Sequence, residues 1–499
     1  MGVLVGLDVG TTGVRALAVD RQGEIVATAG RRYALSMPRP GWTEQEPDDW
    51  WNAARDALGE VVHAVEGRVG GIGLTGQMHG AVFLDGSGKS IRPAILWNDQ
   101  RTEAQCQEIT SRVGAKRLLE VCGNPALTGF QAPKLLWLRE EEPDAYQRVT
   151  HVLLPKDYIR YRLTGELATD PSDASGTLLL DLRGRDWSQE LLDRLEVPRE
   201  WLPAVVESPG QTGQVGRSLA EELGLGPGVP VAAGAGDNAA AAIGVGVIAP
   251  GVGVSSIGTS GVVFAPSAAF TPDGPGRVHA FCHAVPGGYH LMGVTLAAGA
   301  ALEWWRGLFG APLTPEQLAE LAASAAPGSG DLLFLPYLYG ERSPLLDPRA
   351  RGAFVGLTAS HGRAELTRAV MEGVVFSLRQ SLEIIAELAP VAQIRATGGG
   401  GRSRFWVQLQ ADIYGRPVSV MAVEEGAAYG AALLAGVAAE VFASVEAASE
   451  LTRVRETIEP DTTKSSVYDE LFGTYAALYP SLSGAMHDLT VRGRGPTQI

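Results

Sequence analysis

Asp8 lies in an apolar run, VLVGLDV, and is followed at once by Gly10-Thr11-Thr12-Gly13. A carboxylate flanked by Val5, Leu7 and Val9 loses hydration on burial, so it needs a counter-charge or a wet cleft. Glycines at both ends of the bend let the backbone turn sharply and present its N–H groups, an arrangement that attracts anions. An acid beside an anion site points to a bridging metal ion, with Asp8 as the metal's protein ligand. The pattern returns 248 residues later at Gly258-Thr259-Ser260-Gly261, again between two apolar runs, but with Ser256 in the place of Asp8. Two bends and one carboxylate match a nucleotide polyphosphate with Mg²⁺, gripped in a cleft to which each half of the chain contributes one bend.

Asp237 supplies a second acid. It follows the strand-like VPVAAGAG and opens the helix-like NAAAAIG. Two readings are open from the residues: a helix N-cap, a common place for Asp, or a carboxylate kept ionised by the helix N-terminus and available as a proton acceptor. Two phosphate bends, a metal-side acid and an acid at a strand-to-helix elbow are together the parts of a phosphoryl-transfer site. Such chemistry rests on positioning and charge neutralisation, and a weak base that orients the attacking hydroxyl suffices.

Two other glycine-rich stretches are set aside. Gly86 to Ser90 (GSGKS) resembles the end of a P-loop, but Phe83 stands where that loop needs glycine, and a hairpin turn is predicted. Gly234 to Ala239 (GAGDNA) imitates a dinucleotide fingerprint, yet it puts Asp237 where pyrophosphate would sit, and about 20 residues on, where a ribose-binding acid belongs, the chain reads SSIG.

The elements that must position these groups form an alternating α/β pattern. Three antiparallel strands open the chain, the second and third joined at Arg21-Gln22-Gly23, followed by a helix through WWNAARDALGEVVHAV. The strand GGIGLTG stops at a polar elbow, Gln77-Met78-His79-Gly80, and a helix-rich segment runs from Trp97 to about Pro230. After the repeated hairpin, Leu366, Val370, Val374, Leu378, Leu382 and Ile385 recur at three- and four-residue steps, which predicts one apolar face on a long core helix. The strand VAQIRAT ends in Gly398-Gly399-Gly400-Gly401, and a helix follows from about Arg404. The small-residue helix AAYGAALLAG is predicted to pack close against another element. WWNAARDAL and ALEWWRGL read as amphipathic helices, so Trp50, Trp51, Trp304 and Trp305 are assigned mainly to packing rather than to sugar stacking. The repeat divides the chain into two domains, 1–245 and 246–499.

With 499 residues, 45% of them hydrophobic and 19% charged, the chain has the composition of a globular protein with more than one sizeable core. The net charge of −15, with no basic stripe, argues against nucleic acid as a partner. Cys106, Cys122 and Cys282 lack metal-ligand spacing and suit reduced, buried thiols. No basic segment with a cleavage site opens the sequence, and its longest low-polarity run, Asn238 to Val254, is broken by Pro250. No membrane association and a cytoplasmic location are therefore expected.

The stretches GLDVGTTGVRA, GWTEQEPDDWW, GLTGQMHGAVFLD, PAILWNDQR, APKLLWL, LLPKDYIRYRLTGE, ATDPSDASGT, GAGDNAAAAIGVG, SIGTSGVVF, FLPYLYGERSP, GAFVGLTASHGRAELTRAVMEG and TGGGGRSRFW span nearly the whole chain. Together they resemble the FGGY carbohydrate kinases. The pair Met78-His79 is that of the family's xylulose-phosphorylating branch, where glycerol kinases carry Arg-Glu. The resemblance implies an actin-like (ribonuclease H-like) two-domain ATPase fold, with nucleotide in the interdomain cleft and sugar deeper on the N-terminal side. It implies ATP-dependent phosphorylation of D-xylulose to D-xylulose 5-phosphate, with ATP and Mg²⁺ as cofactors and a small sugar as the binding partner. Residue by residue, Asp237 matches the base that takes the proton of the sugar hydroxyl, Asp8 the acid that holds Mg²⁺, and Met78 and His79 the substrate-contacting pair. Thr11, Thr12, Gly258, Thr259 and Ser260 would hold phosphates, Gly398, Gly399, Gly400 and Gly401 would let the backbone approach adenosine, and Asn238 and Asp99 lie in motifs near the sugar. Gln131 departs from the small hydroxyl residue or Pro usual three positions before the Lys of APKLLWL, which bears on a pocket wall. The resemblance allows a homodimer. The alternatives are a family kinase for another ketose or polyol, such as ribulose or glycerol, and a non-catalytic ATP-binding switch.

Overall fold

The computed structural model describes residues 2–309, 313–424 and 426–493. Two seven-stranded mixed sheets form its framework. The first contains β1 (Val3–Val9), β2 (Gly13–Val19), β3 (Ile25–Arg32), β4 (Val69–Gly76), β5 (Gln211–Gln214), β6 (Pro230–Ala232) and β7 (Ala235–Gly236), in the order β5-β6-β4-β1-β2-β3 with β7 also on β4. The second contains β8 (Gly251–Ile257), β9 (Gly261–Ser267), β10 (His279–Cys282), β11 (Tyr289–Thr295), β12 (Val391–Gly398), β13 (Val418–Met421) and β14 (Val454–Ile458), in the order β10-β11-β9-β8-β12-β13-β14.

The sequence repeat is a repeat of register. β1 is antiparallel to β2 and parallel to β4, with Asp8 opposite Arg15 and Thr75. In the same way β8 is antiparallel to β9 and parallel to β12, with Ser256 opposite Val262 and Thr397. The copies differ at the bend: Val9 pairs with Val14 in the first hairpin, whereas Ile257 pairs with Gly261 in the second, whose loop is one residue shorter.

Helices cover the sheets. α1 (Pro47–Ala64) starts with Pro at its first turn, carries Asp48 and Asp49 there, and buries Trp50, Ala54, Leu58 and Val61. α2 (Gln131–Glu141) and α3 (Pro155–Thr164) belong to the helix-rich segment. α4 (Asp237–Gly244) follows β7, and α5 (Gly299–Gly307) follows β11. On α6 (Arg363–Leu388) five of the six residues of the predicted face, Val370, Val374, Leu378, Leu382 and Ile385, are buried, each contributing about 1.5–3 kcal/mol, while Leu366 in the first turn is partly buried. α7 (Arg404–Tyr414), α8 (Gly426–Ala438) and α9 (Thr462–Gly493) complete the set. Among the described residues no helix is long and apolar enough to cross a membrane. Cys106, Cys122 and Cys282 are buried free thiols.

The predicted small-residue helix is α8, and it packs at backbone distance. A Cβ added to Gly6 of β1, Gly73 of β4 or Gly244 of α4 would stand 1.9 Å from the carbonyl oxygen of Ala428, Ala431 or Gly426; one added to Gly430 would meet Ala240 O at the same distance. α8, from the second half of the chain, thus lies directly on the first sheet and crosses α4. Because the obstacle is backbone, no rotamer change relieves it. Gly430→Ala should destabilise the protein by about 3 kcal/mol, whereas Gly473→Ala in α9, where the added methyl meets nothing within 4 Å, should stabilise it by about 0.5–1 kcal/mol. Urea denaturation of the two variants measures this; equal midpoints would contradict the crossing.

Candidate active site

Three parallel strand ends in the first sheet converge. Val9 of β1 is level with Gly76 of β4, which is level with Gly236 of β7. The Gly10 bend, the Gln77-Met78-His79 elbow and Asp237 therefore issue from the same edge, the carboxyl end of parallel strands where open α/β sheets bind ligands.

The first bend closes through the Gly10 N–H, which donates to Gly13 O at 3.0 Å. Its underside is a polar network. The Thr11 hydroxyl donates to Gln77 Oε1 (3.1 Å) and accepts from Trp97 Nε1 (3.0 Å). Gln45 Nε2 donates to Thr11 O (2.8 Å), while Gln45 Oε1 accepts from Trp50 Nε1 (3.0 Å) and Gln77 Nε2 (3.2 Å). The Thr11 hydroxyl is thus engaged in shaping the bend, whereas Thr12 is exposed. The Tyr33 hydroxyl donates to Gly10 O; burial and the nearby Asp8 carboxylate hold its pKa above that of a free phenol. Asp8 is partly accessible as a residue, with its Oδ1 buried.

The second bend is held from below by the start of α5. Ala298 and Ala300 N–H donate to Thr259 O (3.0 and 3.1 Å), and Gly299 N–H donates to Gly258 O (2.8 Å). With those carbonyls occupied, Gly258 and Thr259 are exposed on the other side. The predicted glycine run meets this bend: Gly398 is level with Ile257, has φ 72°, and a Cβ there would stand 2.7 Å from Ile257 O. A Cβ on Gly400 would stand 2.6 Å from that of Ile257. Gly398 and Gly401 line a small cavity of about 40 Å³ with Thr397, Arg402, Met421 and Glu424, across which Arg402 and Glu424 pair at 2.8 Å. A cavity of about 810 Å³ lies elsewhere, between the Ser87–Ser90 turn and Arg162 and Arg217, and contains none of the predicted site residues. GSGKS is the hairpin-type turn expected, with Gly88 N–H donating to Asp85 O.

At the elbow, His79 adopts φ 67° and is almost fully buried. Its Nδ1 lies 2.8 Å from Gly176 O. A carbonyl only accepts, so Nδ1 carries the proton. Burial pushes the imidazole pKa down to about 3, partly opposed by that carbonyl. His79 is therefore neutral, with Nε2 as a lone-pair acceptor. Phe130 (ring centroids 4.8 Å apart) and Phe281 (6.1 Å) flank it, and Phe281 comes from β10 of the second sheet. Lys134 Nζ donates to His79 O (2.8 Å) and Gly129 O (2.7 Å), fixing the elbow from behind. Met78 packs beneath Gly236, its Sδ 3.1 Å from where a Cβ would be.

The structure bears on the N-cap reading of Asp237. Gly236 is the N-cap and Asp237 the first helical residue, making no cap bond. Its Oδ1 accepts from the Asn238 N–H (2.7 Å) and from Asn238 Nδ2 (2.8 Å). Asn238 is thus occupied in orienting the acid, which is itself partly accessible. Desolvation raises the carboxyl pKa to about 6 against the Asn238 donors, so burial outweighs the pull of the helix end toward the charged form.

Other predicted residues have structural duties. Asp99 is fully buried, binding Arg101 through both oxygens (2.9 and 2.7 Å) and the Thr43 N–H (2.7 Å). Gln131 Nε2 donates to Gly80 O (2.9 Å) and Leu153 O (3.1 Å), so it braces the elbow. Trp50 is buried, whereas Trp304 is exposed and stacks on Phe334. Sequence reasoning missed the Gln45, Gln77 and Trp97 shell under Thr11 and the Phe281 contribution from the second sheet; the stretches GWTEQEPDDWW, GLTGQMHGAVFLD and PAILWNDQR held the first three without showing that they meet.

Residues 3–244 match the FGGY family of carbohydrate kinases, N-terminal domain, and residues 253–439 match its C-terminal domain. The chain is 40% identical over 499 residues to a xylulose kinase of Lactococcus lactis subsp. lactis, covering 98% of this chain and 99% of the relative. Among solved structures, a ligand-bound xylulose kinase from Lactobacillus acidophilus superposes with TM-score 0.94 at 28% identity, covering 98% of this chain and all of that one. A gluconate kinase from the same organism superposes with TM-score 0.94 at 29% identity, covering 98% and 99%. The two mixed sheets are those of the actin-like ATPase fold of these sugar kinases. This chain belongs to the FGGY family of carbohydrate kinases.

Proposed function

We propose that the chain transfers the γ-phosphoryl group of ATP to D-xylulose, giving D-xylulose 5-phosphate and ADP. The observation that carries the reading is the level alignment of Val9, Gly76 and Gly236, which brings a phosphate-type bend, the Met78-His79 pair and an acid to one sheet edge. Similarity to xylulose kinases over nearly the full chain supports the sugar. In this reading residues 1–245 bind the sugar and residues 246–499 carry most of the nucleotide.

The sugar's terminal hydroxyl donates to Asp237 Oδ2 and passes its proton there as its oxygen bonds to the γ-phosphorus and the bond to the β-phosphate oxygen breaks. Asn238 holds Oδ1 so that Oδ2 keeps its aim. His79 Nε2 accepts from a second hydroxyl, and Met78 shapes the floor. The N–H groups of the Gly10 and Gly258 bends, with Thr12, Thr259 and Ser260, bind phosphate oxygens, and Gly398 to Gly401 leave room for adenosine. Among the described residues no three His, Cys, Asp or Glu side chains gather into a metal cage. One partly accessible carboxylate, Asp8, beside a phosphate bend is nevertheless a donor that fits Mg²⁺, which keeps its waters and takes phosphate oxygens. When bound there, Mg²⁺ neutralises phosphate charge.

In an ADP-release assay with ATP and Mg²⁺, kcat/KM should be highest for D-xylulose in a panel with ribulose, gluconate and glycerol; a tenfold preference for another member would replace the substrate. Asp237→Asn should lower kcat by about 10²–10⁴-fold while still binding ATP; an unchanged rate would remove Asp237 as the acceptor.

The raised pKa of Asp237 gives two pH signatures. Only the ionised form accepts a proton, so kcat should fall as pH drops through about 6; a midpoint near 4 would contradict the desolvated acid. The native state holds this proton more tightly than the unfolded chain, so stability from this group falls as pH rises from about 4 to about 6. Asp237→Asn should therefore raise Tm at pH 8 and leave it unchanged at pH 4, as followed by thermal melts at the two pH values.

A further inference from the structure

We infer that Asp170, acting through Ser172 and Ser208, is the positioning residue that fixes where the Asp237 carboxylate stands. The inference rests on the reading of Asp237 as the proton acceptor. Asp237 follows Gly234-Ala235-Gly236, a segment with no polar side chain of its own. Gly234 has φ 79°, and a Cβ there would stand 2.1 Å from Leu74 O, so the segment lies tight against β4 without a side chain to anchor it. Besides its short pairing with β4 at Ala235 and Gly236, its placement depends on its backbone donors.

Two of those donors lead to the same buried acid. The Gly236 N–H donates to Ser172 Oγ (3.1 Å), and the Ser172 hydroxyl donates to Asp170 Oδ2 (2.5 Å). The Gly234 N–H donates to Ser208 O (3.0 Å), and the Ser208 hydroxyl donates to Asp170 Oδ2 (2.7 Å). Asp170 also accepts the Ser172 N–H at 2.9 Å, capping the helical turn Pro171–Ala174. Its Oδ1 lies 2.9 Å from Lys156 Nζ, which is 2.6 Å from Asp157 and 3.4 Å from Asp173. Asp170, Lys156, Ser172 and Ser208 are all fully buried. Burial works against the Lys156 charge, but Asp157, Asp170 and Asp173 more than offset it, so the ammonium is retained. One carboxylate, neutralised from behind, thus grips the segment on both sides of Ala235 immediately before the reacting acid. A displacement of about 1 Å at such a position costs about 10²-fold in rate.

The test uses the full chain with D-xylulose, ATP and Mg²⁺. Ser172→Ala should lower kcat by about 10- to 100-fold and leave KM for ATP within about twofold, because nucleotide is held largely by the other half. Ser172→Thr, which keeps the hydroxyl, should restore most of the rate, a rescue that lost packing would not show. Ser172→Ala combined with Ser208→Ala should cost less than the product of the single effects, because both act through Asp170. A Ser172→Ala kcat within twofold of the unmodified enzyme, a failure of Ser172→Thr to rescue, or fully multiplicative effects would overturn the inference. Where Ser172→Ala does not fold, Ser208→Ala against Ser208→Thr makes the same comparison, with loss and rescue of kcat supporting the inference and their absence overturning it. An unmodified chain inert toward every sugar tested would overturn the proposed function together with this inference, whereas an active chain indifferent to Ser172 and Ser208 would overturn the inference alone.

Discussion

Backbone meeting backbone at the crossing of α8 with α4 is the constraint on which the rest of the molecule depends. At Gly244, Gly426 and Gly430 no side chain intervenes, and at Gly6 and Gly73 the same helix lies directly on the first sheet. A helix from the second half of the chain is thereby built into the packing of the first. The consequence reaches the candidate site, because α4 begins with Asp237. Its far end is fixed by α8, and its near end by the Gly-Ala-Gly segment and the serines behind it. The acid is therefore located by glycine contacts at one end and by hydrogen bonds at the other.

The electrostatics follow from that burial. Asp237 is desolvated until its pKa rises to about 6, a range that suits the proton acceptor proposed above. His79, a short distance along the neighbouring strand end, is held neutral by the same means and is left as a hydrogen-bond acceptor rather than a cation. Asp8 stays partly accessible. Desolvation thus moves two titratable groups at one sheet edge in opposite directions, the acid up and the imidazole down, because in each it penalises the charged form.

Features that depend on local periodicity were legible in the sequence. The duplicated hairpin, the long apolar face of α6, the close-packing helix α8 and the elbow at Gln77 to Gly80 each have a signature of a few adjacent residues, and each is found where expected. Where distant segments meet was not legible. The Thr11 hydroxyl reads as a phosphate ligand until Gln77 and Trp97 are seen to occupy it. Asp99 lies in a motif near the sugar, but the Thr43 N–H, 56 residues away in sequence, is among the groups that occupy it. Asp237 reads equally as an N-cap until Gly236 is seen to take that position. The Asp170 to Ser172 chain had no sequence signal, since an acid and two serines acquire this role only when folding brings residues 170, 208 and 236 together.

The central claim is geometric: bends from two halves of the chain hold one nucleotide tail while Asp237 directs an alcohol oxygen at its end. A crystal structure with D-xylulose, Mg²⁺ and a non-hydrolysable ATP analogue tests it most directly. The account predicts phosphate oxygens on N–H groups of both the Gly10 and Gly258 bends and the sugar's terminal hydroxyl within hydrogen-bond distance of Asp237 Oδ2, in line with the γ-phosphorus. A sugar bound away from Asp237, or phosphates touching neither bend, would contradict it.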